Sequence, residues 1–477
     1  MCCWTRTWWG LLLGWGLSLP FVTFTNAEET SPPNIVMIIS DDQYAGDFGF
    51  MGNDKVQTPH LDRLAEQSVR FVNGYVPSSV CRPSLVTLLT GQYPHQNGVH
   101  FNHPPPGFGK LRSPGRTKAE FDALREQAIF LIKQAPSLPR ILQEQGYRSL
   151  QTGKYWEGHY RNAGFTAGMT TAQPSGGPYG DLTLPSGEVV AHGNGDAGLM
   201  IGRETMQPID DFLEDAGDSP FLLWYAPFLP HTPHNAPEEF TNLYREQPSI
   251  PEHTIPYYAS ISQFDATVGD LIAKIESRGL IQKTLFVFVI DNGWQADPER
   301  FREQLQEWDH TKESKRAPFE PGLRTPILFR WEGKFSPTTH SELVSSVDIV
   351  PTLVAAAGLN PKQYPFGGEN LLPVLEGQAK PQKNRAVFGA IYPGDATSLN
   401  NPAGDVAYRW VRQGKYKLII PHSQQGQKPW NRYLLTPALY NVEADPQESN
   451  NLYKQEKFQK VVQKLNKKLN NWWNPKE

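Results

Sequence analysis

Residues 34–42 read NIVMIISDD. From Ile35 to Ile39 five apolar residues run without a polar interruption, and all but Met37 are β-branched. A strand with one wet face alternates apolar and polar residues, so an unbroken run predicts a strand covered on both faces. Such strands belong to mostly parallel sheets with helices packed on each side. Asp41 and Asp42 then fall at the carboxyl end of the strand, where open α/β sheets gather their ligands.

The same texture recurs at Phe221–Ala226 (FLLWYA), Leu285–Ile290 (LFVFVI) and Ile327–Trp331 (ILFRW). Helical periods lie between these runs. Ile261, Phe264, Val268, Leu271, Ile272 and Ile275 recur at three- and four-residue spacing, with Gly279 as a stop. Thr58-Pro59 opens another helix with Leu61, Leu64 and Ala65 on one face. Strands alternating with helices predict an α/β fold, a large mostly parallel sheet sandwiched by helices. Near Arg385 the pattern changes to short segments with turn residues, as in Trp410–Ile420, which predicts a small antiparallel sheet closed by a helix from about Glu456 to Trp472. The expected organisation is a leader at 1–27, an N-terminal α/β catalytic domain at 28–384 and a smaller α+β subdomain at 385–477. Asn102–Arg116 and Ala172–Gly198 are too long for ordinary connections and are expected to build a substrate cleft.

The first residues have the three parts of a secretory signal peptide: Arg6, the apolar segment Trp8–Val22, and Thr25-Asn26-Ala27 before Glu28. The apolar segment is short for a span of about 20 residues and lacks a basic stop signal, so no stable membrane span is expected. The protein is read as exported, to the periplasm or the extracellular space, or to the lysosome in a eukaryote. A net charge of −4 gives no footprint for nucleic acid. The Lys-rich stretch Lys454–Lys468 reads as the solvated face of a terminal helix. Thirteen Trp, 42 Pro and 40 Gly describe a loop-rich protein with aromatic surfaces suited to sugars.

Two of the three cysteines, Cys2 and Cys3, lie in the leader. Cys81 is therefore alone in the mature chain and has no partner for an intrachain disulfide. It is buried and inert, an intermolecular link, or chemistry. It heads a predicted helix with Pro83 in the first turn and Leu85, Leu88 and Leu89 on one face. The positive end of a helix dipole favours anionic ligands there, a sulfate or phosphate among them.

Asp291-Asn292-Gly293 follows LFVFVI as Asp41-Asp42 follows NIVMIIS. Each alone is first of all a turn or cap. Together they supply three carboxylates and one amide oxygen, a hard-oxygen set suited to Ca²⁺ or Mg²⁺. Cationic and imidazole candidates also stand near strand ends: Lys154 after Gly146–Gly153, His231 in Pro230-His231-Thr232-Pro233-His234, and Lys315 before Phe319–Pro326.

These blocks, in this order, resemble the type I sulfatases, arylsulfatase A-like members of the alkaline phosphatase superfamily. The resemblance rests on Ser40-Asp41-Asp42-Gln43, Thr58-Pro59-His60-Leu61-Asp62-Arg63-Leu64-Ala65, Cys81-Arg82-Pro83-Ser84 with Leu89-Thr90-Gly91, and Thr152-Gly153-Lys154. It continues through Pro230-His231-Thr232-Pro233, Asp291-Asn292-Gly293, Lys315 with Phe319-Glu320 and Arg324-Thr325-Pro326, and the end segments Tyr416-Lys417-Leu418 and Leu439-Tyr440-Asn441-Val442. It implies an alkaline phosphatase-like fold and a sulfuric ester hydrolase. By the same resemblance a maturation enzyme oxidises Cys81 to formylglycine, whose hydrate is the nucleophile. Asp41, Asp42, Asp291 and Asn292, with the residue-81 side chain, would bind one Ca²⁺, or Mg²⁺. Lys154 and Lys315 would bind sulfate oxygens, and His231 would contact the sulfate or protonate the leaving alcohol. The expected substrate is a sulfated carbohydrate or an aryl sulfate.

Two positions depart from the family pattern. Leu85 stands where the signature Cys-x-Pro-Ser-Arg has arginine, and Trp156 where the family commonly has a histidine that assists aldehyde regeneration. His159 is the nearest imidazole and the candidate replacement for that base. The departures also keep two other readings open: a phosphoester or phosphonate hydrolase of the same superfamily, and a sulfated-glycan binding protein with an unmodified thiol at 81.

Overall fold

The NIVMIIS run forms strand β1, Asn34–Ser40, with all seven residues buried. The computed structural model describes residues 1–5, 7, 32–102, 117–172, 181–183, 189–191, 197–293, 314–394, 396–423 and 432–476. The expected cleavage site and most of the two Pro/Gly-rich or polar stretches lie outside the described residues.

The strands continue as β2 (Val69–Tyr75), β3 (Arg148–Gly153), β4 (Ala167–Gly168), β5 (Asp181–Thr183), β6 (Val189–Ala191), β7 (Phe221–Ala226), β8 (Thr284–Ile290), β9 (Arg324–Trp331), β10 (Thr338–His340) and β11 (Val344–Ser345). Nine of them make one sheet in the order β10-β2-β9-β8-β1-β7-β3-β4, with β11 also on β2, while β5 and β6 pair with each other. Every pairing in the large sheet is parallel except those of β9, which runs antiparallel to β2 and to β8.

Successive residues of β1 feed opposite faces. Ile35, Met37 and Ile39 join the core under the helices Cys81–Thr90 and Ile349–Ala356. Val36 and Ile38 join the opposite core, with Leu61, Leu64 and Ala65 of helix Pro59–Glu66 and Phe264, Val268, Leu271 and Ile275 of helix Ile255–Ser277. This is the expected sandwich, and it explains the missing alternation: both faces of the central strands are dry. Each such Ile or Phe contributes about 1.5–3 kcal/mol by leaving water.

The helix Cys81–Thr90 is buried along its whole length, its polar residues included. A helix in that position must satisfy its own hydroxyls. Thr87 and Thr90 donate to the Pro83 and Val86 carbonyls at 2.9 and 2.7 Å, and Ser84 donates to the Asp291 carbonyl at 2.5 Å. That last bond ties the helix to the end of β8.

The second sheet is antiparallel in chain order: β12 (Ala386–Ile391), β13 (Tyr408–Gln413), β14 (Tyr416–Pro421) and β15 (Ala438–Asn441). Val462, Leu465 and Leu469 of helix Gln459–Trp472 cover it, with Lys460, Lys464 and Lys467 exposed. On its other face Tyr408, Trp410 and Ile419 share a core with Tyr75, Phe319 and Leu323. Among the described residues no helix is long and apolar enough to cross a membrane.

Candidate active site

Four neighbouring strands of the large sheet, β8, β1, β7 and β3, deliver side chains to one place. Ser40 and Ile290 pair in register at the ends of β1 and β8, and the Asp291 amide donates to the Ser40 carbonyl at 2.9 Å. Asp41-Asp42 and Asp291-Asn292 thereby leave the sheet side by side. Lys154 leaves β3, where its amide donates to the Ala226 carbonyl at the end of β7 at 2.6 Å. Gly153 before it has φ 71°, and an added Cβ would strike the Ala226 carbonyl, so only glycine allows this approach. The loop after β7 carries His231. Cys81 enters from the first turn of its helix, and Lys315 from the segment before β9.

Asp42 is the hub. It is a non-glycine residue with φ 57°, the left-handed region where strain accompanies function. Its amide donates to Asp291 Oδ1 at 3.0 Å. Its Oδ1 accepts from Asn292 Nδ2 at 2.5 Å and from the Cys81 thiol at 3.6 Å. Its Oδ2 accepts from Lys315 and faces His231 Nε2 at 3.2 Å. Lys315 Nζ is also 3.9 Å from Cys81 Sγ. Lys154 Nζ donates to Asp41 Oδ1 at 2.7 Å. His231 Nδ1 is engaged by the Thr232 carbonyl at 2.7 Å, and its ring stacks on Phe228 at 4.1 Å, so Nε2 is the atom presented to the cluster.

All eight groups are buried. Burial lifts the Asp41 carboxyl to about 6 against the opposing pull of Lys154. It raises Asp291 well above the ordinary range, helped by Asp41. Asp42 goes the other way: burial works to raise it, but Lys315, His231 and Lys154 together hold it low. Burial also pushes the His231 imidazole well down and the Cys81 thiol well up, the latter with help from the Asp42 charge. The expected favouring of an anion at the helix N-terminus is thus outweighed for the thiol itself, whose ionisation is opposed by burial and by the Asp42 charge.

Asp41, Asp42, Cys81 and His231 each offer a ligand atom within 4.8 Å of the others, a geometry able to hold a metal ion. Three further facts fit a hard cation: Asp41 Oδ2, Asp291 Oδ2 and Asn292 Oδ1 are buried oxygens with no hydrogen-bond partner. A buried acceptor left unpaired is costly, and oxygen-rich sites are relieved by Ca²⁺ or Mg²⁺.

The two departures from the signature pattern are both apolar and buried in the core beneath the β1 odd face: Leu85 is 3% exposed and Trp156 is 4% exposed. The Trp156 ring lies 5.6 Å from Lys154 Nζ. His159 is half-buried, with Nδ1 accepting from the Arg161 amide at 3.2 Å and the ring against Tyr160 at 4.3 Å. Among the described residues, no hydrogen bond joins His159 to the cluster. Arg82 makes a buried ion pair with Glu157.

Sequence reasoning missed Phe228 and Arg203. Phe228 backs His231 and lies 5.3 Å from Lys154 Nζ. Arg203 gathers the loop after β7, donating to the Phe228 carbonyl at 2.9 Å, to the His231 carbonyl at 2.8 Å and to Asn235 Oδ1 at 2.6 Å. The aromatic residue three positions before His231 could have signalled Phe228; nothing local signals Arg203.

Comparison with known proteins gives the family. The Sulfatase family model matches residues 33–359, and the model described as N-sulphoglucosamine sulphohydrolase, C-terminal, matches residues 308–474. Human arylsulfatase A is 29% identical over 463 residues, covering 88% of this chain and 83% of its own length. The N-acetylgalactosamine-6-O-sulfatase of Bacteroides thetaiotaomicron is 25% identical, covering 93% and 94%. A solved structure in complex with its substrate D-glucosamine-2-N,6-O-disulfate superposes with a TM-score of 0.63 at 19% identity, over 92% of this chain and 97% of that one.

Proposed function

The chain belongs to the sulfatase family and is a sulfuric ester hydrolase, and from that premise we propose that it removes sulfate from a sulfated carbohydrate through a formylglycine made at Cys81. The observation that carries the proposal is the setting of the thiol: buried in the first turn of its helix, 3.6 Å from Asp42 Oδ1 and 3.9 Å from Lys315 Nζ. A buried thiol walled in by charged groups is a poor nucleophile as it stands and a reasonable precursor. A maturation enzyme, with an external two-electron oxidant, would convert the Cys81 Cβ to an aldehyde, the sulfur leaving as sulfide and water supplying the oxygen. Once formed, the hydrated aldehyde would supply one hydroxyl to attack sulfur and a second whose deprotonation expels sulfate and restores the aldehyde.

Asp41, Asp42, Asp291 and Asn292, with the residue-81 side chain, would hold one Ca²⁺ or Mg²⁺. The ion would supply Lewis acidity toward a sulfate oxygen. Lys154 and Lys315 would turn their ammonium groups to the other sulfate oxygens and stabilise the charge that builds on them. His231, fixed by Thr232 and Phe228, would present Nε2 to the sulfate ester, and the charge of the bound anion would offset the burial that holds the imidazole neutral, so that Nε2 carries a proton for the ester oxygen as the S–O bond breaks. His159 as the base for aldehyde regeneration remains part of the proposal.

A sugar substrate is supported by the relative that is an N-acetylgalactosamine-6-O-sulfatase and by the neighbour bound to a glucosamine disulfate. We also propose export by a signal peptide at 1–27, to the periplasm, the extracellular space or a lysosome. The division at 384/385 is supported by the start of the antiparallel sheet at Ala386. Leu85 and Trp156 keep a glycan-binding reading worth testing. Sulfate and phosphate esters of one phenol, assayed in parallel with a panel of sulfated sugars, separate the readings. Sulfate release supports the hydrolase, phosphate release in excess points to a phosphoesterase, and binding of sulfated glycan without release points to a lectin-like protein.

A further inference from the structure

We propose that Arg82 and Glu157 are a positioning pair that fixes the residue-81 side chain relative to Lys154. Arg82 Nε and Nη2 donate to Glu157 Oε1 and Oε2 at 2.7 and 2.8 Å, the two-pronged geometry that specifies orientation as well as distance. The side chains are 2% and 1% exposed. The guanidinium lies 5.0 Å from the Phe101 ring, and the Arg82 amide donates to Asn102 Oδ1 at 3.0 Å. The Glu157 carbonyl accepts from Asn162 Nδ2 at 2.8 Å. Both ends are therefore anchored in their own segments.

What the pair connects gives it meaning. Arg82 follows Cys81 in the first turn of its helix, and Glu157 comes three residues after Lys154. The tie spans the two segments whose side chains meet at Asp41 and Asp42, while neither Arg82 nor Glu157 bonds to the cluster itself. A buried ion pair is weak support for stability, because apolar residues of similar volume replace such pairs at little loss. Its distinctive property is geometric. It also lies at the two places where the signature changes: Leu85 brings no polar group to the helix, and Trp156 adjoins Glu157.

The inference rests on the sulfatase reading of the cluster, and the test separates the two. Arg82→Met/Glu157→Leu and Arg82→Lys are compared with wild type for melting temperature, for kcat and KM on an aryl sulfate, and for Ca²⁺ affinity by calorimetry. The double variant is expected to melt as wild type does but to lose kcat by ~10²-fold with KM changed less than ~threefold. Arg82→Lys keeps the charge without the fork and should lose ~10-fold. Calcium affinity should fall ~10-fold in the double variant, since residue 81 and Asp41 then lose their fixed spacing. A folded double variant with wild-type kcat and calcium affinity overturns the proposal, leaving the pair as packing. If the double variant does not fold, wild-type kcat and calcium affinity in Arg82→Lys overturn it. If wild type itself releases no sulfate, the sulfatase reading fails on its own, and calcium affinity across the variants still decides the pair.

Discussion

Lys154 Nζ sits 2.7 Å from Asp41 Oδ1 with both side chains buried, while the other oxygen of the same carboxylate has no hydrogen-bond partner. One oxygen answers a protein cation and the second is free for another. In the proposed mechanism Lys154 turns to the sulfate and stabilises transition-state charge. Lys154→Ala should lower kcat by about 10²–10³-fold, the scale for removing one preorganised donor. Steady-state kinetics on the best sulfate ester checks it; an unchanged kcat would remove Lys154 from the mechanism.

The unpartnered oxygens of Asp41, Asp291 and Asn292 predict a stabilising cation. Calcium at 100 times its dissociation constant should add about 2.7 kcal/mol to stability. Chelation should reverse the gain. Asp291→Asn should abolish most of it, and thermal melts with and without calcium measure both effects.

His231 presents Nε2 to the cluster, 3.2 Å from Asp42 Oδ2, and the proposed mechanism has it give a proton to the leaving oxygen. Its contribution should depend on how poor the leaving group is. His231→Gln should reduce turnover of a sugar sulfate by about 10²–10⁴-fold. It should affect a p-nitrophenyl ester, whose leaving group needs no acid, far less. Equal losses on both would assign His231 to sulfate binding instead.

Away from the cluster, His95 stacks on Trp473 at 4.7 Å, and burial lowers its imidazole to about 4. Below about 6.5 the unfolded chain takes up a proton that the folded chain refuses. His95 therefore supports the fold fully above that pH, and the support is lost as pH falls toward about 4. The loss amounts to as much as ~3 kcal/mol, because each tenfold weakening of proton affinity is worth ~1.4 kcal/mol. His95→Phe, which keeps the stack, should flatten the decline of unfolding free energy between about pH 7 and about pH 4.5. His422, also lowered to about 4, leaves a residual slope.

The central strands were legible because burial on both faces writes itself into unbroken apolar runs: β1 and β7 have the bounds their sequences suggest. The strand Val69–Tyr75 was not, since three of its seven residues are only partly buried and Asn73-Gly74 reads as a turn, although β9 and β10 flank it. The antiparallel direction of β9 was equally hidden, because direction depends on the connection and not on composition. At the site, strand-end carboxylates and lysines announced themselves by position. Arg203 and the partner of Arg82 did not, because contacts between residues 25 to 75 positions apart leave no local pattern.

Everything proposed for the cluster depends on Cys81 being a precursor, and Leu85 at the signature arginine position makes that dependence worth testing first. Mass spectrometry of the residue-81 peptide, from protein made in its native host and shown to release sulfate, addresses it. An aldehyde at residue 81 in the active fraction is the expected result. An intact thiol in a fully active enzyme would refute the formylglycine mechanism.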